Sequence, residues 1–400
     1  MLAQDKVRWA KPAMIKQATD ASIGTNEGLF SPFSIGSARL KNRIAMAPMT
    51  RGFSPGGVPG ARVAAYYRRR AEGGTGLLLT EGTWIPHAAA SNEATIPDFH
   101  GEAALAGWKR VVQEVHAAGG AIMPQLWHVG LIHKKVPENR GIDEAPAKAH
   151  HVGPSGLSGG IGVPIFVAGE PMTLADIDAV IDAFATAARN AIDLGFDGIE
   201  LHGAHGYIID QFLWHATNRR RDRFGGGHAD RATFAAEIVA EIRRRTAPDF
   251  PILLRYSQWK LHDYDARLAD TPQQLEALLG PIAAAGVDLF DCSQRRFWEP
   301  TFAGSDLNLA GWTKKLTGKP TMAVGSITLD LDFMASLFDR SRPAGVTGID
   351  RLQEMFERGD FDMVAVGRAL ISDPDWSEKI SAGRLSELKV FTPAALGSLE

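Results

Sequence analysis

The stretch GIELHGAHGY (Gly198–Tyr207) joins a short apolar run to a loop of glycine, histidine and tyrosine. Runs of the same kind recur along the chain at Arg43–Ala47, Gly76–Thr80, Ala121–Leu126, Gly198–Leu201, Pro251–Arg255, Val287–Asp291, Pro320–Val324 and Asp362–Val366. Each run is short and apolar at both odd and even positions, which is typical of strands in a parallel sheet that is covered on both faces. The sequence therefore predicts eight buried, parallel strands.

Amphipathic helix patterns separate the eight runs. Thr173 and Asp176 form a capping-box sequence, in which the threonine accepts a hydrogen bond from an amide of the first helical turn. Apolar residues then recur from Ile177 to Ile192 at the spacing of one buried helix face, and Gly195 ends the helix. Strands and helices in unbroken alternation predict an α/β fold with a single (β/α)8 TIM barrel. An open, doubly wound sheet is the alternative.

The predicted barrel accounts for residues 39–383 of the chain. Residues 1–38 form an N-terminal extension, and residues 384–400 form a C-terminal tail. Residues 133–170, rich in glycine, proline and histidine, form a long insertion after the third strand. Insertions at this end of a barrel lie over the active-site mouth. We therefore expect the extension and the insertion to shape the pocket or to form a contact in a homo-oligomer.

Composition excludes several classes of protein. The 400 residues carry a net charge of −3, which argues against a surface for nucleic acid or anionic membrane. Cys292 is the only cysteine, which excludes an intramolecular disulfide or a four-cysteine cluster and fits a reducing compartment. No apolar run approaches the about 18 residues that span a bilayer, and no signal peptide is visible. We expect a soluble, cytoplasmic protein, in which Arg68–Arg70 form a solvated helix end and Arg219–Arg221 form local ion pairs.

Polar residues and glycines follow the carboxyl ends of the predicted strands, where the active sites of barrels lie. They are Thr50, Arg51, Glu81, Gly82, Gln125, Trp127, His128, His202, His205, Tyr207, Arg255, Gly325, Ser326, Gly367 and Arg368. The last four follow strands seven and eight, where barrels often bind phosphate through backbone amides and a cation. Five aromatic residues either line a pocket there or pack in the core: Trp84, Trp127, Trp259, Phe297 and Trp298.

His202 and His205 have three interpretations. They can be structural histidines whose hydrogen bonds are satisfied within the fold. They can be ligands of a catalytic metal ion, with Asp210 or Glu200 as a third ligand. They can instead donate hydrogen bonds to one substrate oxygen, while Tyr207, which is protonated at neutral pH, acts as general acid.

Arg255 and Gln125 lie on apolar strands and need polar partners. An unpaired buried guanidinium is costly, so Arg255 faces either a carboxylate or an anionic ligand. The Gln125 amide can donate and accept at once, which matches the carbonyl–imide edge of a heterocycle. The sequence has no G-x-G-x-x-G, no P-loop and no G-x-S-x-G motif, so it predicts neither a Rossmann site nor a serine hydrolase.

At these residues the sequence resembles the old yellow enzyme family of FMN-dependent ene-reductases. The matching segments are LKNRIAMAPMTR (Leu40–Arg51), GLLLTEGTWI (Gly76–Ile85), PQLWHVG (Pro124–Gly130) and DGIELHGAHGYIIDQFLWHATNRRRDRFGG (Asp197–Gly226). The likeness spans roughly residues 28 to 382. The single cysteine excludes the branch of the family that carries an iron–sulfur cluster. The resemblance implies a TIM barrel with FMN bound over its mouth.

The resemblance also implies a role for each candidate residue. The residues that would bind FMN are Pro48, Met49 and Thr50 at the ring edge, Gly82 through its backbone, Gln125 at the pyrimidine portion, Arg255 near N1 and O2, and Gly325, Ser326, Gly367 and Arg368 at the phosphate. His202, His205 and Trp127 would contact the substrate, and Tyr207 would donate the proton.

The implied reaction is a ping-pong reduction. NAD(P)H reduces the flavin and leaves, and an α,β-unsaturated carbonyl or nitro compound then takes its place and accepts hydride at the β-carbon. Such an enzyme needs no resident metal. The alternatives are a metal-dependent barrel hydrolase or lyase that uses His202 and His205, and a flavin carrier without catalytic activity.

Overall fold

The computed structural model describes residues 27–91, 93–132, 152–160, 163–261, 263–332 and 343–400. Twelve strands are present among these residues: β1 (Phe33–Ile35), β2 (Ala38–Leu40), β3 (Ile44–Met46), β4 (Leu77–Trp84), β5 (Ala121–Trp127), β6 (Leu157–Gly160), β7 (Val163–Val167), β8 (Ile199–His205), β9 (Ile252–Lys260), β10 (Leu289–Ser293), β11 (Thr321–Val324) and β12 (Met363–Val366).

Eight of these strands form a closed, parallel barrel in the order β3, β4, β5, β8, β9, β10, β11, β12, and β12 pairs with β3. Each barrel strand coincides with one of the predicted apolar runs. Three of them extend well beyond the predicted run at the carboxyl end, namely β4, β8 and β9. The prediction of a TIM barrel is confirmed, and the doubly wound sheet is excluded because the sheet has no open edge.

Helices surround the barrel. The described residues contain α1 (Ala61–Glu72), α2 (Glu102–Ala117), α3 (Leu174–Leu194), α4 (Ile208–Leu213), α5 (His228–Arg231), α6 (Thr233–Arg245), α7 (Pro272–Ala285), α8 (Leu309–Thr317), α9 (Ile349–Glu357), α10 (Arg368–Ser372) and α11 (Trp376–Ser381). Along the ring, α1 packs against α2, α2 against α3, α3 against α6, and α6 against α7. None of the helices in the described ranges has the length and apolar character needed to cross a membrane.

The barrel interior changes from apolar to polar toward the carboxyl ends of the strands. Leu77, Met123, Leu253 and Leu289 belong to one buried cluster inside the barrel, and the β1–β2 hairpin adds Ile35 to it. Side chains two residues apart along a strand share a face. The next inward positions are therefore polar on β5, β9 and β10, and they are occupied by Gln125, Arg255 and Asp291.

The predicted segment boundaries stay a prediction, although parts of each segment are placed. The β1–β2 hairpin crosses the predicted boundary after residue 38, and residues 1–26 lie outside the described residues. Within the predicted insertion, residues 152–160 and 163–170 are described and contain the β6–β7 hairpin. Residues 133–151 and 161–162 lie outside the described residues.

Helix α3 begins and ends as its sequence predicts. Thr173 Oγ1 accepts a hydrogen bond from the Asp176 amide at 3.2 Å, and the Thr173 amide donates to the Asp176 carboxylate at 2.8 Å. Gly195 ends the helix with φ of 87°, a conformation that favours glycine. The Asp176 carboxylate, in the first turn, also interacts favourably with the positive N-terminal end of the helix dipole.

We expect Thr173→Ala to lower the free energy of unfolding by about 1 kcal/mol, because an amide of the first turn loses its acceptor. Thr173→Ser keeps the oxygen and serves as the matched control. Urea denaturation followed by circular dichroism measures both variants. Equal losses in the two variants would show that the methyl group, not the cap, is responsible.

Candidate active site

A cavity of about 420 Å³ lies at the carboxyl ends of the barrel strands. This volume is in the range of small-molecule and cofactor sites. The predicted site residues that line it are Pro48, Met49, Thr50, Gln125, Trp127, His202, His205, Tyr207, Arg255, Gly325, Ser326, Gly367 and Arg368. Barrel closure thus brings predicted residues from six strand ends to one place.

Gly82 is the predicted site residue that is not among those lining the cavity. A Cβ atom at this position would lie 2.3 Å from Cε3 of Trp127. Trp127 in turn stacks on Trp84, with ring centroids 4.2 Å apart. Glycine at position 82 therefore lets the Trp127 indole pack against the barrel wall. A backbone contact of Gly82 with the cofactor stays a prediction.

His202, Tyr207 and Trp127 form a compact aromatic cluster in the cavity wall. The rings of His202 and Tyr207 meet edge to face with centroids 4.7 Å apart, and Tyr207 and Trp127 meet in the same way at 4.7 Å. His202 is buried, and its Nδ1 has no hydrogen-bond partner among the described residues. Burial raises the pKa of Tyr207 above its ordinary value. The phenol is therefore protonated throughout the neutral range.

His205 adopts φ of 65°, a left-handed conformation that is uncommon outside glycine. Its backbone amide donates to Ser257 Oγ at 3.0 Å, and its Nε2 lies 2.9 Å from Ser293 Oγ. Its ring stacks on Trp259 with centroids 4.3 Å apart. Burial, followed by the charge of Arg255, lowers the pKa of His202 well below its usual range, and burial also lowers that of His205. Both imidazoles are therefore neutral at neutral pH.

A buried ion pair holds the loop that carries these side chains. Lys260 Nζ lies 2.7 Å from Asp210 Oδ1, and neither side chain is exposed. Asp210 Oδ2 accepts from the Gly206 amide at 2.6 Å, next to Tyr207 at the start of α4. Burial raises the pKa of Asp210 to about 6 despite the adjacent ammonium group. The ion pair therefore links the end of β9 to the turn between His205 and Tyr207.

The metal-site alternative finds no support in the geometry. Asp210 is paired with Lys260, and Glu200 Oε1 accepts from Gln125 Nε2 at 2.8 Å. In the part of the chain that the structure describes, no group of three or more His, Cys, Asp or Glu side chains is arranged to hold a metal ion. The two histidines therefore have no third protein ligand among the candidates that the sequence offered.

The floor of the cavity fits a planar, polar heterocycle. Arg255 lies 3.6 Å from Asp291 and donates to Ser293 Oγ at 3.5 Å, so it faces both a carboxylate and the cavity. Its Nε and the Trp127 Nε1 are buried without a hydrogen-bond partner in the described ranges. Buried donors without partners are costly, so a bound group with oxygen or nitrogen acceptors would satisfy them.

The opposite end of the cavity fits an anion. Gly325 has φ of 138°, and a Cβ atom there would lie 2.4 Å from the Gln294 carbonyl oxygen, so this turn requires glycine. Arg368 donates to the backbone carbonyls of Asp332 and Leu331 and lies 3.4 Å from Ser326 Oγ. Burial lowers the pKa of Arg368 to about 10, which leaves the guanidinium charged at neutral pH. A phosphate placed at this turn would meet a fixed cation.

Some cavity residues were not identified from the sequence. Ser293 ends β10, the sixth barrel strand, two residues beyond the predicted apolar run. Phe391, Pro393 and Leu396 come from the predicted C-terminal tail and line the cavity. The rule that site residues lie at the carboxyl ends of barrel strands could have identified Ser293. The tail follows no strand, so the barrel pattern gives no such indication.

The five aromatic residues near the strand ends divide between cavity and packing. Trp127 and Trp259 line the cavity. Trp84 is buried and stacks on Trp127, and Phe297 and Trp298 pack edge to face with centroids 5.1 Å apart; none of these three side chains lines the cavity. The described part of the insertion, residues 152–160 and 163–170, likewise contributes no lining residue.

Comparison with known proteins places this geometry in a family. The model of the NADH:flavin oxidoreductase / NADH oxidase family matches residues 28–387. The chain belongs to this family. It is therefore an FMN-dependent oxidoreductase, and the resemblance to old yellow enzyme is confirmed.

Individual relatives share both sequence and fold with the chain. It is 32% identical to 12-oxophytodienoate reductase 7 from Oryza sativa subsp. japonica, over 88% of this chain and 87% of that protein. It is 30% identical to an NADH oxidase from Thermoanaerobacter brockii over 93% of this chain, which corresponds to 53% of that longer protein. The structure of morphinone reductase in complex with tetrahydroNAD is 27% identical, with a TM-score of 0.73, over 93% of this chain and 94% of that one.

We expect Lys260→Met to lower the free energy of unfolding by about 3 kcal/mol, because it leaves Asp210 buried without its counter-charge. The double variant Lys260→Met/Asp210→Asn should regain part of this loss, since no charge then remains buried. Urea denaturation at neutral pH measures both. A double variant that is no more stable than Lys260→Met would mean that the unpaired charge of Asp210 does not cause the loss.

Proposed function

We propose that this enzyme reduces the C=C bond of α,β-unsaturated carbonyl or nitro compounds with NAD(P)H. The observation that carries the proposal is the single cavity that collects two neutral histidines and a protonated tyrosine above a floor of Gln125 and Arg255. The complex of morphinone reductase with tetrahydroNAD supports a nicotinamide reductant. Because Cys292 is the only cysteine, we also propose a cytoplasmic location.

Two sets of residues would hold the cofactor. Gln125 and Arg255 would bind the polar edge of the ring, and Arg368 with the Gly325–Ser326 turn would bind the phosphate. Met49 and Thr50 would contact the ring edge from the end of β3. FMN, when bound, supplies the hydride acceptor and donor of the reaction.

The two histidines would polarise the substrate. Neutral imidazoles each offer one N–H donor, and both rings border the cavity. Hydrogen bonds to a carbonyl or nitro oxygen draw electron density from the conjugated double bond and stabilise the charge that develops on that oxygen. His205 Nε2 already contacts Ser293 Oγ, which fixes the orientation of that ring.

Tyr207 would supply the proton. Its phenol is the protonated acid in the cavity wall, next to His202, and its backbone conformation is fixed at the start of α4. The Trp127 indole packs edge to face against this phenol and supports its position. The α-carbon of the reduced alkene would therefore receive its proton from Tyr207 rather than from solvent.

We expect Tyr207→Phe to slow alkene reduction by about 10²-fold, because general acid catalysis contributes at least that much. Reduction of the enzyme by NAD(P)H needs no acid from the protein and should stay near normal. Stopped-flow measurement of the two half-reactions separates them. An equal loss in both half-reactions would contradict the acid role.

We expect the double variant His202→Ala/His205→Ala to weaken binding of phenolic ligands by at least tenfold while FMN stays bound, since each lost hydrogen bond to a charged oxygen contributes about 1.5 kcal/mol or more. Spectral titration with a substituted phenol measures the binding. His202→Asn/His205→Asn keeps one donor at each position and serves as the control. Loss of the flavin in the alanine variant would instead assign the histidines to the cofactor.

A further inference from the structure

Two buried carboxyl groups lie beneath the floor of the cavity and take no part in the proposed catalytic steps. Glu200 lies on β8 and Asp291 on β10, and neither is exposed. Glu200 Oε1 accepts from Gln125 Nε2 at 2.8 Å, and Asp291 lies 3.6 Å from Arg255. The carboxyl groups of Glu200 and Asp291 are also within hydrogen-bonding distance of each other. Each floor residue is thus joined to one member of an acid pair.

The side chains form a chain of contacts in the order Gln125, Glu200, Asp291 and Arg255. Their hydrogen bonds indicate how many protons the two acids carry. If both acids were ionised, Glu200 Oε2 and both Asp291 oxygens would have no hydrogen-bond donor among the described residues. A proton on Glu200 reduces this deficit, because Glu200 Oε2 then donates to one of the two Asp291 oxygens. With the proton on Glu200, the charged carboxylate is that of Asp291, which lies next to the Arg255 guanidinium.

The electrostatics of the buried pair agree with this assignment. Burial, and then the nearby Asp291 carboxylate, raise the pKa of Glu200 well above its ordinary value. Two carboxylates in contact in a dry interior cannot both stay ionised. The His202 imidazole, which also faces Arg255, is neutral and brings no further charge. The arrangement beneath the floor is therefore a neutral Glu200, an anionic Asp291 and a cationic Arg255.

We propose that Asp291 sets the reduction potential of the bound flavin by neutralising Arg255, while Glu200 holds the shared proton and ties the pair to Gln125. This inference rests on the proposed function, in which Gln125 and Arg255 bind the polar edge of FMN. A hydride brings two electrons and one proton, so the ring gains one negative charge when NAD(P)H reduces it. A fixed cation under the ring favours that charge, and a carboxylate beside the cation opposes it.

The test compares the midpoint potentials of three FMN-loaded proteins. We expect Asp291→Asn to stabilise reduced FMN relative to oxidised FMN by at least tenfold, which is a midpoint about 30 mV more positive for a two-electron couple. We expect the isosteric Glu200→Gln to change this ratio by no more than about twofold, or about 9 mV, because one neutral donor replaces another. If the two acids had only a structural role, the shift in midpoint potential would not differ in this way between Asp291→Asn and Glu200→Gln.

Other outcomes would overturn the proposal. If Glu200→Gln shifts the midpoint potential and Asp291→Asn does not, the ionised carboxylate is Glu200 and not Asp291. If neither variant shifts it, the pair does not act on the flavin. Binding of FMN and its bleaching by NAD(P)H are measured on the same samples, so a failure of the proposed function is seen separately.

A second measurement does not depend on the Asp291 variant being folded. The infrared difference spectrum between the unmodified holoenzyme and Glu200→Gln should show the carbonyl band of one buried, protonated carboxyl group. Absence of this band from the difference spectrum would refute the assigned proton.

Discussion

Closure of the eight-stranded barrel is the constraint on which the site depends. Each strand contributes inward side chains in alternation, and the same register that buries Leu253 and Leu289 in the interior brings Arg255 and Asp291 face to face two residues later. Because the strands are parallel, all of their polar ends lie on one side. Hydrophobic packing of the lower barrel therefore positions polar groups that could not hold that arrangement by themselves.

A local irregularity then directs the substrate-binding loop. The register of β8 against β9 shifts between Gly203 and His205, so that His205 pairs with Lys260. The left-handed backbone of His205 is unfavourable for a histidine, and the Asp210–Lys260 ion pair lies directly behind it. Burying two charges costs much of what their attraction contributes. A loop held by such a pair trades stability for a fixed geometry, which suits groups that must meet one substrate oxygen.

The fold and most of the site were predictable because their signals are local. A short apolar run identifies each strand. In a parallel barrel, the residues that follow a strand lie at the mouth of the barrel. Features made by distant segments were not predictable. Arg70 was expected to be solvated, yet it is fully buried and donates to the carbonyls of Leu370, Ile371 and Glu400. No periodicity in the helix that carries Arg70 predicts an acceptor 300 residues away.

Arg255 shows why two interpretations from sequence need not exclude each other. A carboxylate and an anionic ligand were alternative partners for its charge, and in the structure the guanidinium lies between Asp291 and the cavity. A cation with a carboxylate on one side has a counter-charge within the protein itself, so its burial does not depend on a bound ligand. The same carboxylate weakens the hold of the cation on any anion that forms above it. Stability of the empty barrel and affinity for a reduced ring are therefore opposed at this residue, and the acid pair below it sets the balance between them.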